Sequence, residues 1–213
     1  MFIKIFTFNP VSECTYLLVD EPSKEAVIID CGAFYEEEKE ELREYVMDHG
    51  LQIKYILNTH LHFDHCFGVS FATQTFGTAM GANKEDAYLL SAYNASAARF
   101  GIRINDSAPR IGFNIEEGMS FKFGSEELQA LHVPGHTPGS IAFYSPTSKC
   151  VFVGDALFKN SIGRTDLPGG NFEQLISSIK TKLLPLPDDT VVYSGHGEST
   201  TIKDEKRYNM YLR

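Results

Sequence analysis

Short apolar runs alternate with turn-forming polar segments along most of the chain, and this pattern predicts β-strands. Turn formers such as Asn9-Pro10 separate the runs. The predicted strands cover residues 2–8, 15–20, 26–30, 53–57, 120–123, 128–133, 140–144, 150–153 and 191–194. Several of these strands are followed within a few residues by an isolated histidine or aspartate. The candidate functional side chains therefore lie at the ends of strands.

Helical spacing of apolar residues predicts helices between the strands. The clearest example carries Leu42, Tyr45 and Val46 on one side of an acidic segment and is followed by Gly50, a residue typical of helix ends. The predicted helices cover residues 36–48, 66–76, 84–99, 172–183 and 203–208. Strand-rich halves that are each followed by helices predict an α+β fold, with two sheets between helical layers and one domain over residues 1–213.

Composition and charge narrow the class of protein. The 213 residues are 43% hydrophobic and 22% charged, which is ordinary for a soluble globular protein. A net charge of −9 argues against a nucleic-acid-binding role. No stretch approaches the roughly 20 apolar residues that span a bilayer, and no secretion signal is evident. The four scattered cysteines contain no C-x-x-C pair, so we expect a reduced, cytoplasmic protein that does not enter a membrane.

Five of the seven histidines lie in motifs that suit metal binding. One segment, Thr59-His60-Leu61-His62-Phe63-Asp64-His65, follows the predicted strand at 53–57 and holds four ligand-type side chains. Burying such groups beside an apolar strand is costly unless something coordinates them. Three further strands are followed by single ligand-type residues, which are His136, Asp155 and His196. The two other histidines are expected to be structural, since His49 ends a charged helix and His132 lies in a strand.

The seven ligand-type residues exceed the needs of one tetrahedral ion. Imidazole and carboxylate groups suit Zn²⁺, and also Fe or Mn. The set is large enough for two divalent ions that share a water, which predicts a dinuclear metal hydrolase. Asp64 is the predicted catalytic residue, because a carboxylate there can orient the shared hydroxide as well as bind an ion. Cys66 follows His65 directly and is a less favoured ligand.

These residues resemble the metallo-β-lactamase superfamily, in the family's order and over nearly the whole chain. Within it, several strings are similar to the glyoxalase II (hydroxyacylglutathione hydrolase) group and above all to the short bacterial type II glyoxalase-like hydrolases. The strings are His132-Val-Pro-Gly-His136-Thr-Pro-Gly-Ser140, Gly154-Asp155-Ala-Leu-Phe158, Gly163-Arg164-Thr165-Asp166, Pro168-Gly169-Gly170 and Ser194-Gly-His196-Gly. The resemblance implies an αββα sandwich, two mixed β-sheets flanked by helices.

The resemblance also implies a division of the ligands. The first ion would be held by His60, His62 and His136. The second would be held by Asp64, His65 and His196, with Asp155 bridging the two. The implied reaction is hydrolysis of a small thioester, such as a 2-hydroxyacyl thiol ester, whose thiolate leaves without needing a proton.

Departures from the family pattern concern the thiol carrier. Full-length glyoxalase II proteins have a helical C-terminal domain that helps to hold glutathione, and we expect this chain to lack it. The family's glutathione-binding lysine and tyrosine are replaced by Arg164 and Asp166, and a second such tyrosine by Glu198. We therefore expect Arg164 and Lys159 to bind a substrate carboxylate, with residues 84–110 closing over it. For Arg164, a structural salt bridge with Asp155 or Asp166 is equally open.

Other functions remain open on sequence alone. A persulfide dioxygenase would use a single Fe²⁺ held by residues matching His60, His136 and Asp155, and another ester or a lactone would suit the same hydrolytic site. β-Lactam hydrolysis is less favoured, because such enzymes are usually exported. A binding module whose metal only stabilises the fold would have a closed tetrahedral site. Seven ligands shared by two ions leave coordination positions open, which disfavours this alternative.

Overall fold

The computed structural model describes residues 1–104 and 106–213, and two six-stranded β-sheets face each other in it. The first sheet keeps chain order, and its strands are β1 (Phe2–Phe8), β2 (Glu13–Val19), β3 (Glu25–Ile29), β4 (Gln52–Leu57), β5 (Met80–Ala82) and β6 (Phe113–Asn114). Its β1–β2 and β2–β3 pairs are antiparallel, and its remaining pairs are parallel.

The second sheet has the order β14-β13-β10-β9-β8-β7, and only its β10–β13 pair is parallel. Its strands are β7 (Ser120–Phe123), β8 (Glu126–His132), β9 (Ile141–Ser145), β10 (Cys150–Gly154), β13 (Val191–Ser194) and β14 (Thr200–Thr201). A separate hairpin pairs β11 (Leu157–Phe158) with β12 (Ser161–Ile162). Both large sheets are mixed, so the predicted sandwich of two mixed sheets is confirmed.

The helices lie on the outer faces of the sheets. They are α1 (Glu36–Asp48), α2 (Val69–Phe76), α3 (Ala87–Ser91), α4 (Tyr93–Arg99), α5 (Phe172–Ser178) and α6 (Ile202–Tyr208). A π-helical turn, Ile179–Leu183, extends α5 to the predicted end of that helix. The helix predicted at 84–99 is wrong in one respect, since Ala92 has φ −101° and ψ 6° and divides it into α3 and α4 after a 3₁₀ turn.

Three layers of buried apolar residues hold the sandwich together. One lies between the two sheets, and the others lie under the helices on each side. In β3, Val27 and Ile29 point between the sheets while Ile28 points toward the helices. Because both faces of the strand are covered, an unbroken apolar run is the expected sequence there. In the described residues, no helix is long and apolar enough to cross a membrane.

Four strands end at the same edge of the sandwich, and each leads directly to a predicted ligand. They are β4, β8, β10 and β13, which precede the segment 60–65, His136, Asp155 and His196 respectively. Backbone hydrogen bonds fasten these ends across the sheets. The Cys14 amide at the start of β2 donates to the Gly195 carbonyl just after β13 at 2.8 Å. The first and last parts of the chain therefore meet at this edge.

Candidate metal centre

The structure brings six of the seven predicted ligands together in two neighbouring groups. One group is formed by His60, His62 and His136, and the other by Asp64, His65 and His196. Within each group the ligand-type atoms all lie within 4.8 Å of one another. Ligands far apart in the sequence thus converge.

Asp155 lies between the two groups. Its Oδ1 is 3.4 Å from His65 Nε2, and its Oδ2 is 3.7 Å from His136 Nε2. The same Oδ2 is 3.8 Å from His196 Nε2. A single carboxylate therefore faces both groups, as a bridging ligand must.

Hydrogen bonds fix the orientation and tautomer of His60. The Thr59 hydroxyl donates its proton to Asp30 Oδ2 at 2.6 Å, so its oxygen accepts from His60 Nδ1 at 3.0 Å. The proton of His60 is thus on Nδ1, and Nε2 carries a lone pair directed into the site. Asp30 also accepts from the Thr59 amide at 2.7 Å, which fixes the backbone just before His60.

Three other histidines are oriented in the same manner. His65 Nδ1 donates to Asp30 Oδ2 at 3.0 Å, and His136 Nδ1 donates to the Arg164 carbonyl at 2.8 Å. His196 Nδ1 donates to the carbonyl of Val11 at 3.2 Å. In each ring the bond at Nδ1 leaves Nε2 as the nitrogen that faces the centre, which is how metal-binding histidines are usually held. His136 Nε2 lies 2.9 Å from His62 Nδ1, its neighbour in the first group.

Three buried polar atoms at the centre make no hydrogen bond to any described residue. They are His60 Nε2, His65 Nε2 and Asp155 Oδ1. Leaving a buried polar group unsatisfied costs about 1–3 kcal/mol, and the three atoms belong to one histidine of each group and to the Asp155 carboxylate between them. Divalent cations would satisfy them, so the residues present fit a dinuclear metal centre.

The pKa values of the histidines differ between the two groups. Burial lowers the pKa of His60 well below its ordinary value and lowers the pKa of His62 to about 3, with neighbouring histidines adding to the effect. Burial also lowers the pKa of His65, but nearby carboxylates, chiefly Asp155, outweigh it and raise the pKa well above the ordinary value. His60 and His62 are therefore neutral and ready to bind a cation, whereas His65 must release a proton first.

Asp86 links the two loops that carry the first group, a role that its sequence context does not predict. Its carboxylate accepts from the Gly139 amide and the Thr137 hydroxyl, each at 2.7 Å, and from the Leu61 amide at 3.3 Å. Leu61 separates the first two histidines of the motif, and Thr137 follows His136. Asp86 lies inside a segment predicted to be helical, so nothing in the local pattern indicated this contact.

Asp30 was missed although a signal for it existed. It directly follows the apolar strand β3, the same pattern that identified Asp155 after β10. Cys66, the less favoured ligand, belongs to neither group among the described residues, and burial raises the pKa of its thiol well above the ordinary value. A thiol that keeps its proton is a poor metal ligand.

A cavity of about 370 Å³ opens above the centre. Its floor is formed by His62, Asp64, His136, Asp155 and His196. Helices α3 and α4 form one part of the wall, as predicted for residues 84–110, and the segment around Pro168 forms another part. The Tyr88 hydroxyl donates to the Pro168 carbonyl at 2.8 Å and joins these two parts. Most of the wall residues are apolar.

Arg164 and Lys159, the two residues predicted to bind a substrate carboxylate, differ in their position relative to the cavity. Arg164 lines the cavity, but its Nε and Nη2 bind the two carboxylate oxygens of Asp166, each at 2.8 Å. The salt-bridge alternative for Arg164 is thus the arrangement observed. Lys159 does not line the cavity, and its ammonium binds Glu198. The structure therefore does not bring Lys159 to the predicted substrate site.

Comparisons with known proteins agree with this geometry. The profile of the metallo-beta-lactamase superfamily matches residues 10–196. The hydroxyacylglutathione hydrolase GloC of Haemophilus influenzae is 43% identical over 201 residues, which cover 93% of this chain and 92% of that protein. The crystal structure of BLEG-1 B3 metallo-beta-lactamase superposes with a TM-score of 0.89 at 36% identity, over 99% of both chains. That of TTHA1623 in a di-iron-bound form gives 0.85 at 38% identity, over 98% of this chain and 100% of the other.

Proposed function

Because the chain belongs to the metallo-β-lactamase superfamily, we propose that it hydrolyses small thioesters of the hydroxyacylglutathione type with two divalent ions. The observation that carries this proposal is the position of Asp155, whose carboxylate faces both ligand groups. The similarity to GloC supports the thioester as the substrate class.

In this proposal the first ion is held by His60, His62 and His136, and the second by Asp64, His65 and His196, with Asp155 shared. When bound, the pair of ions would lower the pKa of a water toward neutrality and polarise the thioester carbonyl. Zinc is the proposed occupant, because imidazole and carboxylate donors suit it. Iron is supported by the di-iron form of the related TTHA1623.

Asp64 is the proposed catalytic residue. Burial raises the pKa of this carboxyl, but His65 and the hydrogen bond from His196 together lower it below the ordinary value. Asp64 Oδ2 lies 3.2 Å from His196 Nε2, so the carboxylate is oriented toward the centre. An ionised carboxylate on the cavity floor accepts a hydrogen bond from the attacking water and directs its lone pair at the carbonyl carbon.

The cavity walls act on the substrate. Apolar side chains such as Phe63 and Phe100 cover the approach to the polar floor and limit access of bulk water. Charge interactions at the floor are stronger in such a partly dry site. The departing thiolate is stable without a proton, so the chain needs no separate general acid for the leaving group.

The proposal is tested by metal counting and by thioester cleavage on the same preparation. We expect about two ions per chain, release of thiol from S-lactoylglutathione, loss of activity on chelation and recovery on metal addition. Thiol release is followed with a chromogenic thiol reagent. A content near one ion, with Asp64 and His65 away from it, contradicts the dinuclear centre. Absence of thiol release from the fully loaded protein contradicts the thioesterase.

Two other activities are measured beside it. Similarity to BLEG-1 B3 metallo-beta-lactamase, at 36% identity, favours β-lactam hydrolysis as a second candidate, and a chromogenic cephalosporin tests it directly. A persulfide dioxygenase would need one iron held by His60, His136 and Asp155. The second group, Asp64, His65 and His196, favours the dinuclear hydrolase over this one-iron reaction. Oxygen uptake with glutathione persulfide that exceeds thioester cleavage would favour the dioxygenase.

A further inference from the structure

Arg99 lies in the cavity wall, and its guanidinium has no partner among the described residues. It is the last residue of α4, is exposed to solvent and lines the cavity that has the two ligand groups on its floor. Among residues 1–104 and 106–213, none forms a hydrogen bond or salt bridge with its guanidinium. Arg164, which also lines the cavity, is held by both oxygens of Asp166. An anion that enters the cavity therefore meets Arg99 without displacing an existing partner.

Charge in and around the cavity limits the kind of anion that fits. Arg99 and Arg164 are the arginines that line it, the described lining includes no lysine, and Asp166 neutralises Arg164. The chain as a whole carries a net charge of −9. A polyphosphate carrier would therefore be repelled, whereas one carboxylate matches the one free guanidinium.

The apolar wall next to Arg99 indicates which part of the substrate lies there. Phe100 follows Arg99 and is 51% exposed although its ring lies 5.2 Å from that of the buried Phe63. Leu89 and Leu167 continue this apolar surface. A short hydroxylated acyl group has little apolar surface to bury and belongs at the polar floor. The apolar wall is then left for the thiol portion.

We propose that Arg99 is the specificity-determining residue of the cavity and binds a single carboxylate at the end of the substrate's thiol portion. The stem of that thiol lies against Phe63 and Phe100, and the thioester carbonyl lies at the floor. This inference rests on the proposed thioesterase function. In the reaction, water adds to the acyl carbon, the carbon–oxygen bond forms, the carbon–sulfur bond breaks, and a carboxylic acid and a thiol are released.

Three acetyl thioesters of similar size test the inference: those of mercaptopropionate, mercaptoethanol and thiocholine. They place a negative, a neutral and a positive group at the end of the thiol. With metal-loaded wild-type protein, we expect kcat/KM for the anionic ester to exceed that for the neutral ester by about tenfold, the effect of one charge-assisted contact. The cationic ester should be the poorest substrate.

Two substitutions at Arg99 and one control complete the experiment. Arg99→Ala should bring the anionic-to-neutral ratio of kcat/KM close to one, through a higher KM for the anionic ester at similar kcat. Arg99→Glu should make the thiocholine ester the preferred substrate. Arg103→Ala is the matched control, because Arg103 is also exposed and lies outside the cavity lining. It should leave the ratio unchanged.

The outcomes separate the inference from the function on which it rests. Cleavage of all three esters with a ratio that Arg99→Ala does not change overturns the role of Arg99 and leaves the thioesterase standing. An equal change of the anionic-to-neutral kcat/KM ratio in Arg103→Ala also overturns the role of Arg99, since it shows a general effect of surface charge. Failure of loaded wild-type protein to cleave any of the esters, S-lactoylglutathione included, overturns both. If Arg99→Glu prefers the cationic ester over the anionic ester, the variant is folded and the side chain at position 99 recognises the charge of the thiol portion.

Discussion

Replacing Asp86 with asparagine tests whether the two loops of the first ligand group depend on one buried carboxylate. Asp86 Oδ2 accepts from both the Leu61 amide and the Thr137 hydroxyl, and Oδ1 accepts from the Gly139 amide. Asparagine keeps the volume, and its oxygen can retain the Gly139 bond. The new amide group then faces Leu61 and Thr137. The Thr137 hydroxyl can turn to Ser140 Oγ, which lies 2.7 Å away, but the Leu61 amide loses its acceptor.

One orphaned buried amide sets the expected magnitude. Such a group costs about 1–3 kcal/mol, against a typical net stability of about 5–15 kcal/mol, so Asp86→Asn should still fold. Asp86→Ala would orphan the Gly139 amide as well and cost about 2–6 kcal/mol, which makes it a less informative variant. Because the displaced loops carry the first group, metal affinity should also fall, by roughly 10–100-fold as for other groups that support ligands.

Urea unfolding of the metal-free protein measures the stability change, and competition with a chromophoric chelator measures metal affinity. Asp188→Asn is the control, because the exposed Asp188 carboxylate binds only Lys206 among the described residues. Its loss should cost about 0–1 kcal/mol and leave metal affinity unchanged. An Asp86→Asn variant with reduced stability but wild-type affinity would show that Asp86 supports the fold and not the metal centre.

Three further outcomes are expected. Asp64→Asn should lower kcat much more than it raises KM in steady-state kinetics, because volume is kept and charge at the floor is lost; an unchanged kcat would refute the assigned role. Metal affinity should rise with pH. Burial lowers the pKa of His65, but the carboxylates of Asp155 and Asp64 outweigh burial and raise this pKa above its ordinary value. Below the raised pKa a proton competes with the metal ion for the His65 ring. Affinity that is flat across a pH series would contradict this. Gly195→Ala should weaken metal binding, because the new Cβ would lie 2.3 Å from Asp155 Oδ1 and 2.6 Å from His65 Cε1. Gly197→Ala is the control: its Cβ would have no atom within 4 Å, so this substitution should change stability and leave metal binding unchanged.

The sequence predicted the parts of the fold that depend on local periodicity. The long strands β1 to β4 and β7 to β10 lie within two residues of their expected bounds, because each has a run of alternating or continuous apolar residues. The short strands β5, β6 and β14 have two or three residues each, too few to show a period. They exist because a neighbouring strand offers hydrogen bonds, which is information the local sequence does not hold.

The site was predictable where a ligand-type residue directly follows a buried strand. That signal found His136, Asp155 and His196, and the structure places all three at one edge. It failed for side chains whose partners are remote. Lys159 was selected because it is near Asp155 in sequence, but its partner is Glu198, which belongs to the loop after β13. Arg99 was overlooked because only the folded chain shows that it faces the ligand groups.

The contact between the segments around Cys14 and Gly195, at the candidate metal centre, has a consequence for how the protein folds. The second ligand group is complete only when the segment after β13 docks beside β2, where Cys14 and Gly195 are hydrogen-bonded. Contacts between such distant segments form late, since loop closure must precede them. During synthesis, a nascent chain that does not yet include β13 and His196 holds only part of the ligand set. We therefore expect metal uptake to follow folding and to slow unfolding more than it speeds folding.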